Sequence, residues 1–300
     1  MEVNPLVTVN ILSFSRKDCL KITLEKVFEQ SYKNIEVIVV DNASTDGTAE
    51  MIEREYPDVR LIKLKKNIGI AGWNEGFKVA KGGYVLVLDD DSYPEEETIC
   101  MGLKKFTDIF TGIIAFNIFN TRINKSETED FLTNPYFFVG CGALIKKNVL
   151  DKVGYFNKDY FIYYHELDYS ARCYDKGFPI LYVPEIRVIH NQSLLSRDNN
   201  KQDPFLSAYR FYHYFISYSI FLMQNFYFKY SVVYLFKWII NRAFISIKQN
   251  FYIKFLKAIF SLILKLPEIL KNRNVLKYEA QKFYRFGNVP FIEKEIIKNK

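Results

Sequence analysis

Three observations together predict an α/β fold. Short apolar, β-branched runs recur at 7–13, 35–41, 59–64 and 84–88, a stretch with helical periodicity follows each, and two of the four close on a hydroxyl or carboxylate while the last runs straight into one. Strands alternating with helices at this spacing predict βαβ units and a mostly parallel sheet.

The first run, VTVNILS at 7–13, reads as a buried strand and leads into an amphipathic helix over 17–30. The second, IEVIVVD at 35–41, ends on a carboxylate, and the turn at 42–47 starts a helix reaching about Tyr56. A third strand is expected at 59–64 and a helix at 70–81. The fourth strand, YVLVL, runs into Asp89, Asp90 and Asp91, and a helix capped by Ser92 is expected from Pro94. Ligands of such sheets bind beyond the carboxyl ends of the strands, where Ser13, Asp41 and the acidic triplet all fall.

The chain has 300 residues, 49% of them hydrophobic and 25% charged, which excludes a disordered chain or a collagen. Four well-separated cysteines form no C-x-x-C motif and are expected as reduced thiols of a cytosolic protein. Residues 1–5 carry an acid and a proline and do not read as a signal peptide.

The net charge of +7 hides an asymmetry. Residues 201–300 hold 17 Lys and Arg against 5 Asp and Glu, with 25 aromatic residues; the rest of the chain is net acidic. A boundary is therefore expected in the polar run 193–204, dividing a domain at 1–198 from a helical region at 199–300. In that region Lys254, Lys257, Ser261 and Lys265 step by three or four, which lays them along one helical stripe. Phe251, Ile253, Phe255, Leu256, Ile259, Phe260, Leu262 and Ile263 make the remaining face greasy. Lysines interrupt every run long enough to span a bilayer, so the pattern points to helices lying on a membrane surface. Packing on the first domain or on a second subunit is the alternative. No RNA-binding motif accompanies the basic residues, and nucleic acid is not expected as a partner.

No G-x-G-x-x-G follows the first strand and no G-x-x-x-x-G-K-[ST] occurs. A nucleotide held here therefore lacks a glycine cradle, and the acidic cluster points to Mg2+ or Mn2+ carrying its phosphates. Alternate residues of an extended segment point the same way, so Asp89 and Asp91 are expected to share a site while Asp90 points elsewhere. A neutral His190, closing the apolar run 186–189, is expected to complete a metal site with Asp91. The second acidic stretch is His165–Glu166–Leu167–Asp168, at the start of a helix ending at Gly177. One of its acids is expected as a general base, Glu166 first, with a pKa raised by Tyr164 and Leu167. The polar run TRINKSETED, at 121–130, is expected as a loop that closes over a bound ligand.

Taken in order, these segments resemble the family 2 glycosyltransferases of the GT-A fold over about residues 5–195. The match runs through SFSR at 13–16, VDNASTDGT at 40–48, NIGIAGWNEG at 67–76, LDDDSYP at 88–94, GCG at 140–142, HELD at 165–168 and His190. It implies a nucleotide-sugar donor lined by Ser13, Arg16, Asp41, Asn67, Gly69, Gly72, Asp89 and Asp90. It further implies a metal on Asp91 and His190, and an acceptor side at Gly140, Gly142 and His165. Glu166 would be the base of an inverting displacement, with Asp168 in reserve; the family most often has Glu-Asp where this chain has His165–Glu166. The subgroup most similar is the bacterial rhamnosyltransferases, which implies a dTDP-rhamnose donor, with a UDP-sugar as alternative. A lipid-linked or cell-surface glycan would be the acceptor, and the protein would sit on the inner face of the cell membrane, with homo-oligomers open. The competing readings are a non-catalytic nucleotide-sugar-binding scaffold and a sugar nucleotidyltransferase.

Overall fold

The structure, a computed structural model, describes residues 4–131, 135–191 and 207–285. The boundary expected at 193–204 lies outside the described residues. The chain divides into two units, one of Met1–Phe156 with Lys176–Arg197, the other of Asn157–Asp175 with Asp198–Lys300.

The first unit holds β1 (Val7–Ser13), β2 (Ile35–Asp41), β3 (Arg60–Lys63), β4 (Tyr84–Asp89), β5 (Ser92–Pro94), β6 (Ile113–Asn120), β7 (Lys125–Ser126), β8 (Ala143–Lys146) and β9 (Ile180–His190). Its helices are α1 (Lys17–Phe28), α2 (Thr48–Glu55), α3 (Trp73–Val79), α4 (Thr98–Lys104) and α5 (Lys147–Val153). Among the described residues the strands form one sheet in the order β3-β2-β1-β4-β8-β6-β9-β5, with β7 on β6. The β3-β2-β1-β4 part is parallel, β6 and β9 are also parallel, and β8, β5 and β7 join antiparallel.

Strand β1 is covered on both faces, so its polar Thr8 and Asn10 are as buried as its apolar residues. Val7, Val9 and Ile11 are fully buried on one face; on the other, Thr8 donates to Glu36 and Asn10 donates to the carbonyl of Trp73 at 3.0 Å. Each such buried Val or Ile side chain stabilises the fold by roughly 1.5–3 kcal/mol. Helix α3 approaches β1 so closely that a Cβ on Gly76 would sit 2.0 Å from Asn10 Oδ1. The single helix expected over 70–81 is instead a 3-10 turn at Gly69–Gly72, entered with Gly69 at a φ of +65°, followed by α3. Ser92 does not cap a helix. It lies in β5, paired with His190 of β9, and α4 starts only at Thr98.

The second unit is helical: α6 (His165–Asp175), α7 (Ala208–Asn225), α8 (Phe228–Lys248), α9 (Tyr252–Lys271) and α10 (Tyr278–Arg285). The start of α7 is capped by Ser207, whose hydroxyl accepts from the Arg210 N–H. Ala258, Leu262 and Ile269 of α9 are buried, and α9 packs on α7 and α8. The greasy face expected around the lysine stripe is thus split: part of it packs, while Leu256, Phe260, Ile263 and Leu264 are exposed. No helix among the described residues is long and apolar enough to cross a membrane.

Candidate active site

Parallel register brings the ends of three strands to one level. Ser13 is opposite Asp41, and Leu12, one residue before Ser13, is opposite Asp89. The acidic triplet continues from β4 into the turn before β5, so its three carboxylates face different partners.

Asp90 is turned into the fold. Its carboxylate accepts from the Phe14 N–H at 2.9 Å and the Ser13 hydroxyl at 3.2 Å, and its carbonyl accepts from the Thr23 hydroxyl at 3.0 Å. Asp90 and Ser13, both expected among the donor contacts, therefore commit these groups to holding the end of β1 in place. Arg16 pairs with Asp91 and lies 3.3 Å from Asp90. Burial works against the guanidinium charge, but Asp91, Asp90 and Asp89 outweigh it and raise its pKa further. The chain itself thus supplies part of the positive charge that the triplet requires. Burial, reinforced by Asp91 and Asp90, pushes the Asp89 carboxyl up to about 8.

His190 joins this group from β9. Its Nε2 lies 3.5 Å from Asp91 Oδ1, and its Nδ1 lies 2.9 Å from Glu127 Oε1. Burial alone would lower the imidazole pKa, yet its bonds to Asp91 and Glu127 carry it to about 10. The two carboxylates thus favour the charged ring, whereas a cation on Asp91 would take a neutral Nε2, the form expected from the sequence. Asp91 is held below its ordinary value despite burial, by His190 and Arg16. Glu127 is likewise held low against burial, by His190 and Asn120.

Glu127 was not among the expected site residues. It lies in the polar run 121–130, where one of several acids in a loop carries no distinguishing signal. That run is a hairpin rather than a free loop: Lys125 and Ser126 pair with β6, and the Glu127 N–H donates to Ile118 at 2.7 Å.

Around the end of β2, Asp41 is buried and accepts from the Ser44 N–H at 3.0 Å. Asn42, also missed, clips the following segment. Its amide donates to Asn67 Oδ1 at 2.9 Å and to the Gly69 carbonyl at 3.0 Å, and it accepts from the Ile68 N–H at 2.9 Å. Asn67 in turn accepts from the Gly69 N–H at 2.8 Å. A Cβ on Gly72 would meet Leu12 Cδ1 at 2.4 Å, so the Leu12 side chain packs directly on the Gly72 backbone. Gly140 and Gly142 precede β8 rather than lying in a strand, and a Cβ on Gly142 would meet Ile118 at 2.4 Å.

In the second unit, Glu166 stands in the first turn of α6, its Oε2 3.0 Å from His165 Nδ1. The backbone enters this helix through two successive left-handed residues, Tyr163 at φ +66° and Tyr164 at φ +61°. Such conformations are costly for bulky side chains and persist where neighbours over-determine them. The neighbours here are aromatic. Tyr163 stacks on Tyr214 at 4.0 Å, and Tyr164 packs edge-on to Tyr214 at 5.7 Å and tilted on Tyr218 at 4.9 Å. Asp168 is almost fully buried and accepts from Arg172 Nε at 2.9 Å, Asn225 at 2.9 Å and the Tyr160 hydroxyl at 3.3 Å. A carboxylate committed to three donors is an anchor, which argues against Asp168 as a reserve base.

As to a divalent cation, the donor chemistry fits in one respect. A histidine whose second nitrogen is held by a carboxylate is the usual arrangement of an imidazole ligand, and His190 with Glu127 has it. Among the described residues no three His, Cys, Asp or Glu side chains converge, so the protein offers Asp91 and His190 alone. Mg2+ and Mn2+ accept so few protein ligands when phosphate oxygens and water complete the shell.

This architecture is that of the GT-A glycosyltransferases. TarS 1–349 of S. aureus, solved with UDP-GlcNAc, superposes with a TM-score of 0.60 at 16% identity, covering 88% of this chain and 82% of that one. The mannosyltransferase PcManGT of Pyrobaculum calidifontis, solved with GDP-Man and Mn2+, gives 0.56 at 21% identity, over 74% and 63%. The chain belongs to glycosyl transferase family 2, whose model matches residues 8–168. Curated relatives include the Escherichia coli UDP-Glc:alpha-D-GlcNAc-diphosphoundecaprenol beta-1,3-glucosyltransferase WfaP, 42% identical over 91 residues, which are 29% of this chain and 36% of WfaP. Glycosyltransferase GlyA of Streptococcus pneumoniae is 28% identical over 163 residues, 53% of this chain and 22% of GlyA. The chain thus spans little more than a third, at most, of the length of these relatives.

Proposed function

We propose that this chain transfers a sugar from a nucleoside-diphosphate donor to an acceptor hydroxyl, with inversion at the anomeric carbon. The observation that carries the reading is the alignment of Ser13, Asp41 and Asp89 at adjacent strand ends, with Asp91 and His190 beside them. Asp41 would accept from the base, and the Asn67–Gly72 segment, held by Asn42, would line the nucleoside. Asp89 would bind the ribose, and Arg16 would meet the diphosphate. A divalent cation held by Asp91 and His190 would supply Lewis-acid stabilisation of the leaving diphosphate. Glu166, half-buried at the start of α6, would take the proton of the acceptor hydroxyl.

The donor is read as a pyrimidine-nucleotide sugar. The likeness to rhamnosyltransferases favours dTDP-rhamnose, and the printed donor of the E. coli relative favours a UDP-hexose. That relative's acceptor, a diphosphoundecaprenol, supports a lipid-linked glycan as acceptor here. The reading is tested by thermal shift and donor turnover over a panel of dTDP-, UDP- and GDP-sugars, with and without Mn2+. Metal-dependent turnover of dTDP-rhamnose selects the rhamnosyl reading, a UDP-sugar replaces it, and no binding of any donor overturns the transferase.

We also read the second unit as a membrane-surface element. Phe236, Phe244 and Ile247 of α8 are 63–70% exposed, and Leu256, Phe260, Ile263 and Leu264 of α9 are 60–65% exposed, among many lysines. Exposed apolar helices with lysines suit an anionic bilayer surface. A second copy of the chain is the rival occupant, and its concentration-dependent mass in solution without vesicles would replace this reading.

A further inference from the structure

We infer that a pocket between α7 and α9 is a headgroup site for an anionic phospholipid of a bilayer surface. The inference rests on the membrane reading above and assigns the residues that take the phosphate. The pocket has a volume of about 350 Å3 and is lined chiefly by Tyr209, Tyr212, Lys254, Lys257, Phe260 and Ser261.

Its chemistry suits a phosphate. Lys254 and Lys257 lie three residues apart on α9, both exposed, and among the described residues neither forms a salt bridge with a carboxylate. Within α9, Lys254, Lys257, Lys265 and Lys271 face a single acid, Glu268. The Tyr212 hydroxyl donates to Ser261 Oγ at 2.8 Å, so Ser261 keeps its own proton for an anion.

A soluble anion would have no use for the other half of the arrangement. At 100° per residue, Lys254, Lys257, Ser261 and Lys265 form a stripe between two apolar sectors. On one side lie Ala258 and Leu262, both buried; on the other lie Leu256, Phe260, Ile263 and Leu264, all exposed. Phe260 belongs to both the pocket and the exposed sector. Phosphate-binding groups thus stand directly beside a surface for hydrocarbon, which is what an amphiphile requires. The wider basic excess of this part of the chain favours an anionic lipid over a zwitterionic one.

The test is co-sedimentation of the full chain with vesicles of phosphatidylcholine alone and of an equal mixture of phosphatidylcholine and phosphatidylglycerol. We expect tighter partitioning onto the mixed vesicles. The K254Q/K257Q variant should lose about tenfold or more of that partitioning, and the K237Q/K248Q variant, with the same charge change on α8, markedly less. Equal losses in the two variants, or none in K254Q/K257Q, would overturn the pocket and leave the membrane reading standing. Release from mixed vesicles by millimolar inorganic phosphate, with neutral-salt controls inactive, would reassign the pocket to a soluble anion. Failure of the unmodified chain to bind either vesicle would instead sink the membrane reading itself.

Discussion

Glu127 holds His190 from the side opposite Asp91: its Oε1 lies 2.9 Å from Nδ1, while Nε2 faces Asp91 Oδ1 at 3.5 Å. Because the Glu127 carboxylate is kept ionised, the Nδ1–H donates to it, and the ring plane is fixed with Nε2 directed at the carboxylate end of β4. Glu127→Gln should therefore lower kcat/KM by about 10- to 100-fold, the usual loss when the partner of a ligating imidazole is removed. Steady-state kinetics of the single and double variants decide it. If His190→Ala multiplies the full loss on top of Glu127→Gln, the two residues act separately.

Asp90 and Asp91 are neighbours with opposite expected phenotypes. Asp91→Ala should abolish donor turnover and its dependence on Mn2+, and should lower Tm less than Asp90→Ala does, because Arg16 keeps Asp90 and no backbone N–H loses its acceptor. Asp90→Ala should lower stability by roughly 3–5 kcal/mol, because Phe14, Ser13 and Arg16 lose a buried anionic partner. Thermal melts beside activity assays separate the two, and a Tm that falls equally in both variants would contradict the division.

The acids of α6 divide in the same way. Glu166→Gln should leave donor binding near that of the unmodified protein and reduce kcat by about 10²- to 10⁴-fold. Asp168→Asn should act on stability, since Arg172 keeps its charge in a buried site without an anion. Normal kcat in Glu166→Gln would remove it as the base.

Tyr214 carries the turn in front of Glu166 on its ring. Tyr214→Phe retains the stacking surface and should keep the turn, and kcat, better than Tyr214→Ala does. Tyr214→Ala should cost roughly 0.5–1.5 kcal/mol of ring contact beyond the loss of buried area, and release Tyr163 and Tyr164 from their left-handed backbone. Its kcat should fall more than its donor Kd rises; equal changes would mean general damage.

Asp46 links two helix starts, accepting from the N–H groups of Lys17 and Thr48 at 2.9 and 3.2 Å. Although burial opposes it, bonds from Thr48 and Lys17 hold its carboxyl below the ordinary value of 3.8. A depressed folded pKa means stability present above the unfolded value and lost as the pH falls through the folded one. Asp46→Ala should cost about 1 kcal/mol near neutral pH, and the Tm gap to the unmodified protein should close as the pH falls below 3.8. A gap that persists at lower pH would show that the carboxylate charge contributes nothing.

Much of the fold and part of the candidate site were readable without coordinates, because both depend on local pattern. The bounds of β1 and β2 follow from apolar runs ending on Ser13 and Asp41, and β-strand period and helix period are properties of neighbouring residues. The acidic triplet and His165–Asp168 were visible as segments for the same reason, as were the lysine stripe and the charge asymmetry of the last hundred residues.

What only the tertiary structure decided is which way each of those side chains points and who answers it. Asp90, Asp91 and Asp89 look alike in sequence, and contacts with Ser13 and Phe14 on one side, and His190 on the other, separate an anchor from a candidate ligand. Ser92 carried a cap signal that lost to pairing with His190. Glu127 and Asn42 acquired partners 63 and 25 residues away. Long-range hydrogen bonds leave no periodic trace in the chain, so they become visible only when the sheet brings its strands into register.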